Sequence, residues 1–436
     1  MNELVLLKNR RADRRAVTFD EYRSSGGYEA LTETIRNRSP NDIKAIVKES
    51  GLRGRGGAGF PAGIKWDSVR DGAPFPRYAV SNTDEMEPGT FKDRVLVHAD
   101  PHMVIEGVIL AAYAVRAEKG FIFVRPSYEG GAELLEKALE VAGDAGFVGK
   151  NILGSDFSFH LTVHRSGGRY ICGESSAQLQ ALMGKRPHPQ KGGPFETEKG
   201  VWGLPTLVNN VETLACVPHI LRHGADWFKN LAATESGAGT KLYCVSGKVQ
   251  KPGCFELPIG TPLGDIINKY AGGMTPGSRF KACLPGGAST RYMKEDLWNV
   301  EMDFDALKKV GHRLGTGAVI VFDQNTCLVG ATLNLMEFFS RESCGWCTPC
   351  REGIPYIRDL LWRIENGDGR ESFIPMIREM AGHMSKSYCA FALGAASPVE
   401  SLVTYFEDEI REHISQRGCP FHSHERSEPY AEIDHR

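Results

Sequence analysis

The segment CGWCTPC places three cysteines, Cys344, Cys347 and Cys350, two residues apart each time. This spacing brings three thiolates onto one tight loop, the arrangement that holds three corners of an iron–sulfur cubane. Zinc is the alternative, but zinc sites usually pair two CxxC-like knuckles, and the sequence has no second pair of this kind. The spacing therefore favours a [4Fe-4S] centre and requires a fourth ligand from elsewhere in the chain.

Cys389, in the segment KSYCAFALG, is the best candidate for the fourth ligand. It is the only cysteine between the three-cysteine motif and the C-terminal tail, and Cys419 is the alternative. The other six of the eleven cysteines are scattered. In a reducing compartment, scattered cysteines are typical of small buried residues or ordinary surface thiols.

Size and charge narrow the class of protein. A chain of 436 residues exceeds what one hydrophobic core supports, so we expect two to four domains. With 52 basic and 54 acidic residues, the net charge of −2 provides no positive field for a nucleic acid. The apolar part of the N-terminus is too short for a secretory signal, and the stretch MVIEGVILAAYAV is too short to span a bilayer. We therefore expect a cytoplasmic protein without direct membrane insertion.

Strand and helix patterns alternate through the first half of the chain. A capped helix over SPNDIKAIVKESG and another that begins at Asp100 and Pro101 are interleaved with the strands RYAVS, FIFVR and FSFHLTVH. Such alternation predicts an α/β fold with a largely parallel sheet, whose ligand site lies beyond the carboxyl ends of the strands. After Lys241 the pattern predicts a small α+β domain, and after about residue 330 a compact bundle of amphipathic helices.

These patterns divide the chain into three predicted domains, over residues 1–240, 241–330 and 331–436. The third ends in a polar segment that we expect to be a loose tail. His422 and His424 in this tail are expected to be solvated.

A glycine-rich segment, GLRGRGGAGFPAG, follows the first capped helix. Gly54, Gly56 and Gly59 match the dinucleotide-binding fingerprint, but a helix precedes them where that fingerprint requires a strand. A flexible surface loop is the alternative. Because the glycines allow close backbone approach and Arg55 and Lys65 add positive charge, we interpret the segment as a nucleotide cradle of a different architecture.

An acidic turn, NTDEMEPG, follows the strand RYAVS and carries Asp84, Glu85 and Glu87. Most turns of this composition are simply solvated. At a flavin or nicotinamide site, these groups would fix ring nitrogens and ribose hydroxyls and would tune the flavin potential. The sequence alone leaves both interpretations open.

The chain resembles the NADH-binding flavoprotein subunit of respiratory complex I, which is the F-subunit family of the NADH:quinone oxidoreductases. The resemblance covers nearly the whole chain and rests on GLRGRGGAGFPAGIKW, DEMEPGTFKDR, RYICGE, GLPTLVNNVETL, SGKVQKPG, ESCGWCTPCREG and YCAFALGA. It implies a Rossmann-like FMN- and NADH-binding domain, a ubiquitin-like β-grasp domain, and a helical bundle with one [4Fe-4S] cluster on Cys344, Cys347, Cys350 and Cys389.

The resemblance also implies roles for individual residues. It places Glu87 close to the nicotinamide and suggests that Phe60 and Phe195 stack on the adenine, where the alternative for both is core or loop packing. The remaining cofactor-binding candidates lie in or near the glycine loop, the acidic turn and two later segments: Gly54, Arg55, Gly56, Gly57, Lys65, Asn82, Asp84, Glu85, Tyr170, Gly173, Glu174, Ser175, Asn209 and Asn210.

The implied activity is NADH dehydrogenation. NADH gives up two electrons as a hydride, an iron–sulfur cluster accepts one at a time, and FMN connects the two. The implied partners are the small thioredoxin-like [2Fe-2S] subunit and the large iron–sulfur subunit of the complex I peripheral arm, through which the chain would attach to the cytoplasmic side of the inner membrane. Two alternatives are the diaphorase subunit of a soluble hydrogenase or formate dehydrogenase, and a zinc-stabilised nucleotide-binding scaffold without turnover.

One position departs from the family pattern. Family members usually carry paired glutamates in CGEE, one of which helps to bind the adenosine ribose, whereas this chain has Glu174 followed by Ser175. The lost carboxylate removes a source of repulsion against the 2′-phosphate of NADPH. We therefore expect weaker discrimination against NADPH.

Restoring the carboxylate tests this expectation. Ser175→Glu should raise the ratio of kcat/KM for NADH to that for NADPH, because a second carboxylate repels the 2′-phosphate. Steady-state rates with both nucleotides measure the ratio. Equal selectivity in the variant and the parent protein would contradict the assigned role of position 175.

Overall fold

The computed structural model describes residues 4–128, 130–190 and 192–421. The predicted loose tail with His422 and His424 lies outside the described residues. Two four-stranded sheets and a set of C-terminal helices make up the described chain.

The first sheet is entirely parallel, with strand order β3-β2-β1-β4. This finding confirms the predicted parallel α/β arrangement. Its strands are β1 Tyr78–Thr83, β2 Lys119–Val124, β3 His160–Arg165 and β4 Thr206–Asn210. The helices of this part are α1 Phe19–Ser24, α2 Glu29–Asn37, α3 Pro40–Glu49, α4 Ala62–Asp67, α5 Lys92–Ala99, α6 Pro101–Val115, α7 Gly131–Asp144, α8 Ser175–Leu182, α9 Val211–His223 and α10 Ala225–Asn230.

Local sequence signals explain where two of these helices begin. Ser39 and Asp42 form a reciprocal capping box at the start of α3. The Asp100 carboxylate accepts a hydrogen bond from the backbone N–H of Met103 at 2.9 Å, and Pro101 occupies the first turn of α6. Both starts agree with the sequence patterns.

Helix α6 is almost wholly buried and packs against α9. Its one acidic residue, Glu106, accepts hydrogen bonds from the hydroxyl of Tyr22 at 2.5 Å and the backbone N–H groups of Tyr28 and Leu31 at 2.8 and 3.1 Å. Burial raises the pKa of Glu106. The N-terminal helices are therefore tied to α6 through a satisfied buried carboxylate.

The second sheet has strand order β6-β5-β8-β7 and is mixed. Its central strands β5 and β8 pair in parallel, and each edge strand pairs with its neighbour in the antiparallel sense. The elements are β5 Thr240–Gly247, β6 Gly253–Pro258, α11 Leu263–Asp265 followed by a π-turn over Ile266–Tyr270, β7 Phe280–Leu284, α12 Phe304–Lys309 and β8 Ala318–Asp323.

Up to residue 421, where the description ends, five helices follow the second sheet: α13 Leu328–Glu342, α14 Thr348–Glu365, α15 Phe373–Met384, α16 Ala390–Tyr405 and α17 Glu407–Gln416. The segment 399–414 has one continuous amphipathic pattern, but it is divided between α16 and α17 at Phe406, which has φ −134° and ψ 30°. The break lets α17 turn back onto α13 and α14, so tertiary packing overrides a continuous local pattern.

Within the described residues, no single helix has both the length and the apolar composition to cross a bilayer. Helices α5 and α6 meet that test only as a pair, and they are bent by 102° at their junction.

The close contact of α6 with α9 at Gly107 gives a stability prediction. A Cβ at this position would lie 2.3 Å from the backbone oxygen of Leu214, so Gly107→Ala should force the helices apart and destabilise the fold by about 1–3 kcal/mol. The matched control is Gly382→Ala in α15, where a Cβ meets nothing within 4 Å and a gain of about 0.4–1 kcal/mol is expected. Thermal unfolding should rank Gly107→Ala below the parent and Gly382→Ala at or above it. The reverse order would contradict the close helix contact.

Candidate functional site

A cavity of about 320 Å³ opens beyond the carboxyl ends of β1 and β4. Its wall is formed by the first sheet, by loops of the second sheet and by the start of α16. Of the predicted cofactor, catalytic and metal residues, eleven line this cavity: Gly56, Gly57, Asn82, Asp84, Glu85, Glu87, Tyr170, Gly173, Glu174, Asn210 and Cys389.

The glycine loop provides a wall of bare backbone. Gly57 has φ +125°, a conformation that residues with a Cβ rarely adopt. At Gly56, a Cβ would lie 3.1 Å from the Cβ of Asn210, so the loop packs tightly against the end of β4. This geometry suits a ligand that is held by close backbone approach.

Two asparagines join the segments around the cavity. The side-chain amide of Asn82 donates to the carbonyl of Gly173 at 3.0 Å, and that of Asn210 donates to the Asp93 carboxylate at 2.8 Å. Asn210 Oδ1 accepts from the backbone N–H of Glu212 at 3.0 Å and caps α9. These bonds fix the relative positions of the strand ends and the adjoining turns.

Asp84 is buried with one unsatisfied oxygen. Oδ1 accepts from the Ser166 hydroxyl at 3.1 Å, but no described group hydrogen-bonds Oδ2. Burial raises the pKa of Asp84 to about 6. Buried carboxylate oxygens normally have partners, so Oδ2 is an acceptor that the described residues leave unpaired.

Glu85 lines the same cavity, but its carboxylate is already engaged by the protein. It accepts from the backbone N–H groups of Asp93 and Arg94 at 3.0 and 3.3 Å and from the Tyr128 hydroxyl at 2.5 Å. Burial and the neighbouring Asp93 raise the pKa of Glu85 to about 7. Glu85 therefore anchors the N-terminus of α5.

Glu87 is held between two parts of the protein. Its Oε2 accepts from the Tyr170 hydroxyl at 2.5 Å, and its Oε1 accepts from the backbone N–H of Ser289 at 2.6 Å. Burial raises the pKa of Glu87, and burial together with Glu87 raises that of Tyr170, so the phenol keeps its proton and donates. The Glu87 carboxylate is thereby fixed at the cavity wall.

Lys92 was not among the sequence candidates, although it lines the cavity. Its ammonium lies 2.5 Å from Asp93, 2.9 Å from Glu212 and 3.2 Å from Asn210 Oδ1. Burial lowers the pKa of Lys92, but the two carboxylates outweigh burial and raise the pKa above its ordinary value. The signal available in the sequence was the Lys92-Asp93 pair in the segment DEMEPGTFKDR.

Two predicted cofactor residues point into the protein. Arg55 is 1% exposed and its guanidinium donates to the carbonyl of Ala238 at 2.6 Å, so this side chain does not line the cavity. Asn209 is buried and accepts from the Trp66 indole at 2.9 Å. Arg55 and Asn209 lie on the inward-facing sides of the loop and the strand, and groups in the protein interior hydrogen-bond them.

The predicted adenine-binding residues lie apart from the cavity lining. Phe60 and Phe195 are 53% and 76% exposed, which excludes the alternative of core packing. Lys65 forms an ion pair with Glu196 at 3.0 Å. Burial raises the pKa of Glu196, but Lys65 and a hydrogen bond from Ser175 outweigh burial and lower it. This ion pair joins the segments that carry the two exposed rings.

Of the remaining candidates, Glu174 caps α8 by accepting from the backbone N–H of Ala177 at 2.9 Å. Gly54 closes the glycine loop by donating to the carbonyl of Phe60 at 2.8 Å.

The four predicted cluster ligands lie together. Burial, together with the neighbouring thiols of Cys347, Cys389 and Cys344, raises the pKa of Cys350 to about 12. Cys347 precedes α14 and Cys389 precedes α16, so the ends of two helices carry the cysteines. The alternative fourth ligand, Cys419, instead lies beside Cys327.

Tyr170 connects the cavity with the cysteine-bearing helices. Its backbone N–H donates to Glu342 of α13 at 2.9 Å, and its ring makes edge contacts with Phe338 and Phe391 at centroid distances of 5.2 and 5.5 Å. Phe391 is two residues beyond Cys389, and both line the cavity. Cavity and thiols are thus adjacent.

Family models match three parts of the chain. The Nuo51 FMN-binding domain matches residues 47–219, the SLBB domain residues 242–292, and the NADH-ubiquinone oxidoreductase-F iron-sulfur binding region residues 330–413.

Whole-chain relatives agree with these models. An NADH-quinone oxidoreductase F subunit of Rhizobium meliloti is 44% identical over 92% of this chain and 95% of its own length. The F subunit of the Escherichia coli enzyme is 44% identical over 93% and 92%. Among solved structures, an NAD+-reducing [NiFe]-hydrogenase in the H2-reduced state superposes with a TM-score of 0.80 at 33% identity, over 93% of this chain and 67% of that one.

The unpartnered oxygen of Asp84 gives a prediction for FMN binding. Asp84→Asn should weaken FMN affinity at least about tenfold, because a hydrogen bond to a charged group contributes about 1.5–3 kcal/mol. The parent's affinity should also fall below about pH 6, where the Asp84 carboxylate of the FMN-free protein takes up a proton. Flavin fluorescence titrations from pH 5 to 8 measure both effects.

Asp226→Asn is the control, because Asp226 lies on the surface with its side chain 82% exposed. Its FMN affinity should match the parent's at every pH. An Asp84→Asn protein that keeps the parental affinity and pH profile would exclude Asp84 as a ligand.

Proposed function

Because this chain belongs to the F-subunit family of the NADH-quinone oxidoreductases, we propose that the cavity lined by Asp84, Glu87 and Cys389 is its site of NADH oxidation. The chain is an NADH dehydrogenase subunit that feeds electrons from NADH through FMN to a [4Fe-4S] cluster. The observation that carries the proposed site is that one cavity is bordered by both the glycine loop and Cys389.

The described residues fit FMN. Gly56 and Gly57 supply backbone that can approach a phosphate, Asn82 and Asn210 supply amides, and Asp84 Oδ2 supplies a buried acceptor without a partner. Bound FMN takes a hydride from NADH and passes electrons on singly.

Glu87 is the proposed residue beside the nicotinamide. Its carboxylate is fixed by Tyr170 and Ser289, so it can orient a bound nucleotide without rearranging. Neither a protein nucleophile nor a general base is required for hydride transfer.

Phe60 and Phe195 are proposed to stack on the adenine. Their exposure leaves both rings open to a ligand, and the Lys65–Glu196 ion pair holds their segments together. Glu196 also places a carboxylate beside Ser175, which would still repel a 2′-phosphate. Weakened discrimination against NADPH, without its complete loss, is the resulting proposal.

The division of the chain into three domains is also a proposal that follows from the family. We take residues 1–240 as the FMN and NADH domain, 241–330 as a ubiquitin-like β-grasp domain, and 331–436 as the helical bundle of the cluster with a polar C-terminal tail. The mixed sheet β6-β5-β8-β7 and the packing of α13 to α17 support this division.

Partners and location follow from membership of a multisubunit family. We propose that the cluster passes electrons to the small [2Fe-2S] subunit and the large iron–sulfur subunit of the peripheral arm. The chain would then sit on the cytoplasmic side of the inner membrane, attached through those subunits. Exposed Trp346, between Cys344 and Cys347, lies on the surface where a partner centre would approach.

A second candidate is the diaphorase subunit of a soluble hydrogenase. It is favoured by the superposition on the NAD+-reducing hydrogenase, but at 33% identity compared with 44% for the complex I relatives. Co-purification from the native cell separates the candidates, since the first requires quinone-reductase subunits and the second requires a hydrogenase subunit.

The proposed ligand set is tested with two cysteine variants. Cys389→Ser should lose the cluster and its iron, because it removes one corner of the cubane, whereas Cys419→Ser should keep both. Iron analysis and visible spectra measure the outcome. Iron loss in Cys419→Ser with retention in Cys389→Ser would assign the fourth ligand to Cys419.

The proposed oxidation site is tested by anaerobic addition of NADH to protein reconstituted with FMN and iron. The flavin absorption should bleach, and Glu87→Gln should raise the KM for NADH several-fold while leaving FMN content unchanged. Glu133→Gln, on the exposed face of α7, is the control. Protein that contains FMN but does not bleach would contradict the proposal.

A further inference from the structure

Four potential metal ligands from distant parts of the chain converge outside the cavity. Cys327, Glu365, His413 and Cys419 each place one ligand atom so that all four atoms lie within 4.8 Å of one another. Cys327, His413 and Cys419 are buried, and the Glu365 side chain is 17% exposed. We propose that these four residues form a structural zinc site that is distinct from the iron–sulfur centre.

The separations fit a tetrahedral ion. His413 Nε2 lies 3.2 Å from both Cys327 Sγ and Glu365 Oε2, and Cys327 Sγ lies 3.3 Å from Glu365 Oε2. Zinc bonds of about 2.0–2.3 Å in a tetrahedron place ligand atoms roughly 3.3–3.7 Å apart. The Cys327, Glu365 and His413 atoms are therefore spaced almost as three corners of such a site require, and Cys419 Sγ lies within 4.8 Å of each of them.

The histidine is oriented as a metal ligand. Its Nδ1 lies 2.7 Å from the backbone carbonyl of Glu409, which can only accept, so Nδ1 carries the proton. In the neutral ring, Nε2 then directs its lone pair at Cys327 and Glu365. A hydrogen bond from the second ring nitrogen to a carbonyl is the usual support of a zinc-bound histidine.

The position of the Cys327 thiol also suits a zinc ligand. The backbone N–H of Gly330 donates to Cys327 Sγ at 3.1 Å, a contact that suits a thiolate. A Cβ at Gly330 would lie 3.1 Å from Glu365 Oε1, so the backbone at Gly330 closely approaches the four proposed zinc ligands. Two thiolates, one imidazole and one carboxylate form a closed set of the ligand types that zinc takes.

The location suggests a structural role. Cys327 lies between β8 and α13, Glu365 ends α14, His413 lies in α17, and Cys419 follows α17. An ion bound by all four would fasten the last described helix to the junction of the second sheet and the C-terminal helices. Because none of the four lines the cavity, zinc removal should loosen α17 without removing FMN.

The direct test is metal analysis of the full-length protein purified without chelators. Zinc should be present at close to one ion per chain, and a zinc K-edge spectrum should show mixed sulfur and nitrogen or oxygen ligands. Cys419→Ser and His413→Gln should lose at least tenfold in zinc occupancy. Two matched controls, Cys389→Ser in the iron–sulfur centre and His160→Gln on the exposed face of β3, should keep it.

Hydrogen–deuterium exchange gives a second readout that needs no variant. Treatment with a zinc chelator should accelerate exchange in α17 at least tenfold, and added zinc should reverse the change. Protein that carries no zinc after growth and purification with added zinc would overturn the proposal. So would a disulfide between Cys327 and Cys419 in anaerobically isolated protein, or zinc that is lost with Cys389→Ser and kept with Cys419→Ser.

Discussion

The hydrogen bond between Tyr170 and Glu87 holds the three parts of this protein around one cavity. Glu87 belongs to the turn after β1 and also binds the backbone of Ser289 near the second sheet. Tyr170 reaches α13 through Glu342 and packs on Phe391 at the start of α16. These contacts join the first sheet, the segment around Ser289 and the C-terminal helices at the cavity that the glycine loop and Cys389 both line.

The charged side chains around the cavity differ in how fully other protein groups pair with them. Glu85 accepts hydrogen bonds from a backbone N–H and from a phenol, and Lys92 lies between Asp93 and Glu212. Both side chains therefore hold α5 and α9 in place. Among the described residues that line the cavity, Asp84 is the one with a buried side-chain oxygen, Oδ2, that has no partner. The fold therefore satisfies the groups that build the cavity and leaves an acceptor for its ligand.

Periodicity and capping residues were enough to predict the parallel sheet and the starts of α3 and α6. Short motifs led to the family, and the comparisons confirm the family, the activity and the cofactors. Side-chain direction was not predictable in the same way. Arg55 lies in a glycine loop that borders the cavity, yet its guanidinium points to Ala238, because the core offers a carbonyl to the side of the loop that faces inward.

The sequence also did not predict which distant residues come together in the fold. Cys327 and Cys419 are 92 residues apart with no spacing signal, and the sequence places Cys327 among the scattered thiols and Cys419 as an alternative iron–sulfur ligand. The fold instead brings both to Glu365 and His413. The break at Phe406 within the segment 399–414 was likewise not predictable from local sequence, because the packing of α17 against earlier helices decides it. Local pattern predicts elements, whereas tertiary contact decides which distant residues meet.

The central claim is that electrons from NADH leave this cavity through the adjacent cluster. Low-temperature EPR of the anaerobic protein, frozen after addition of NADH and integrated against its iron content, tests the claim directly. We expect the signal of one reduced [4Fe-4S] cluster for each chain that holds FMN. A bleached flavin with a cluster that dithionite reduces but NADH does not would contradict it.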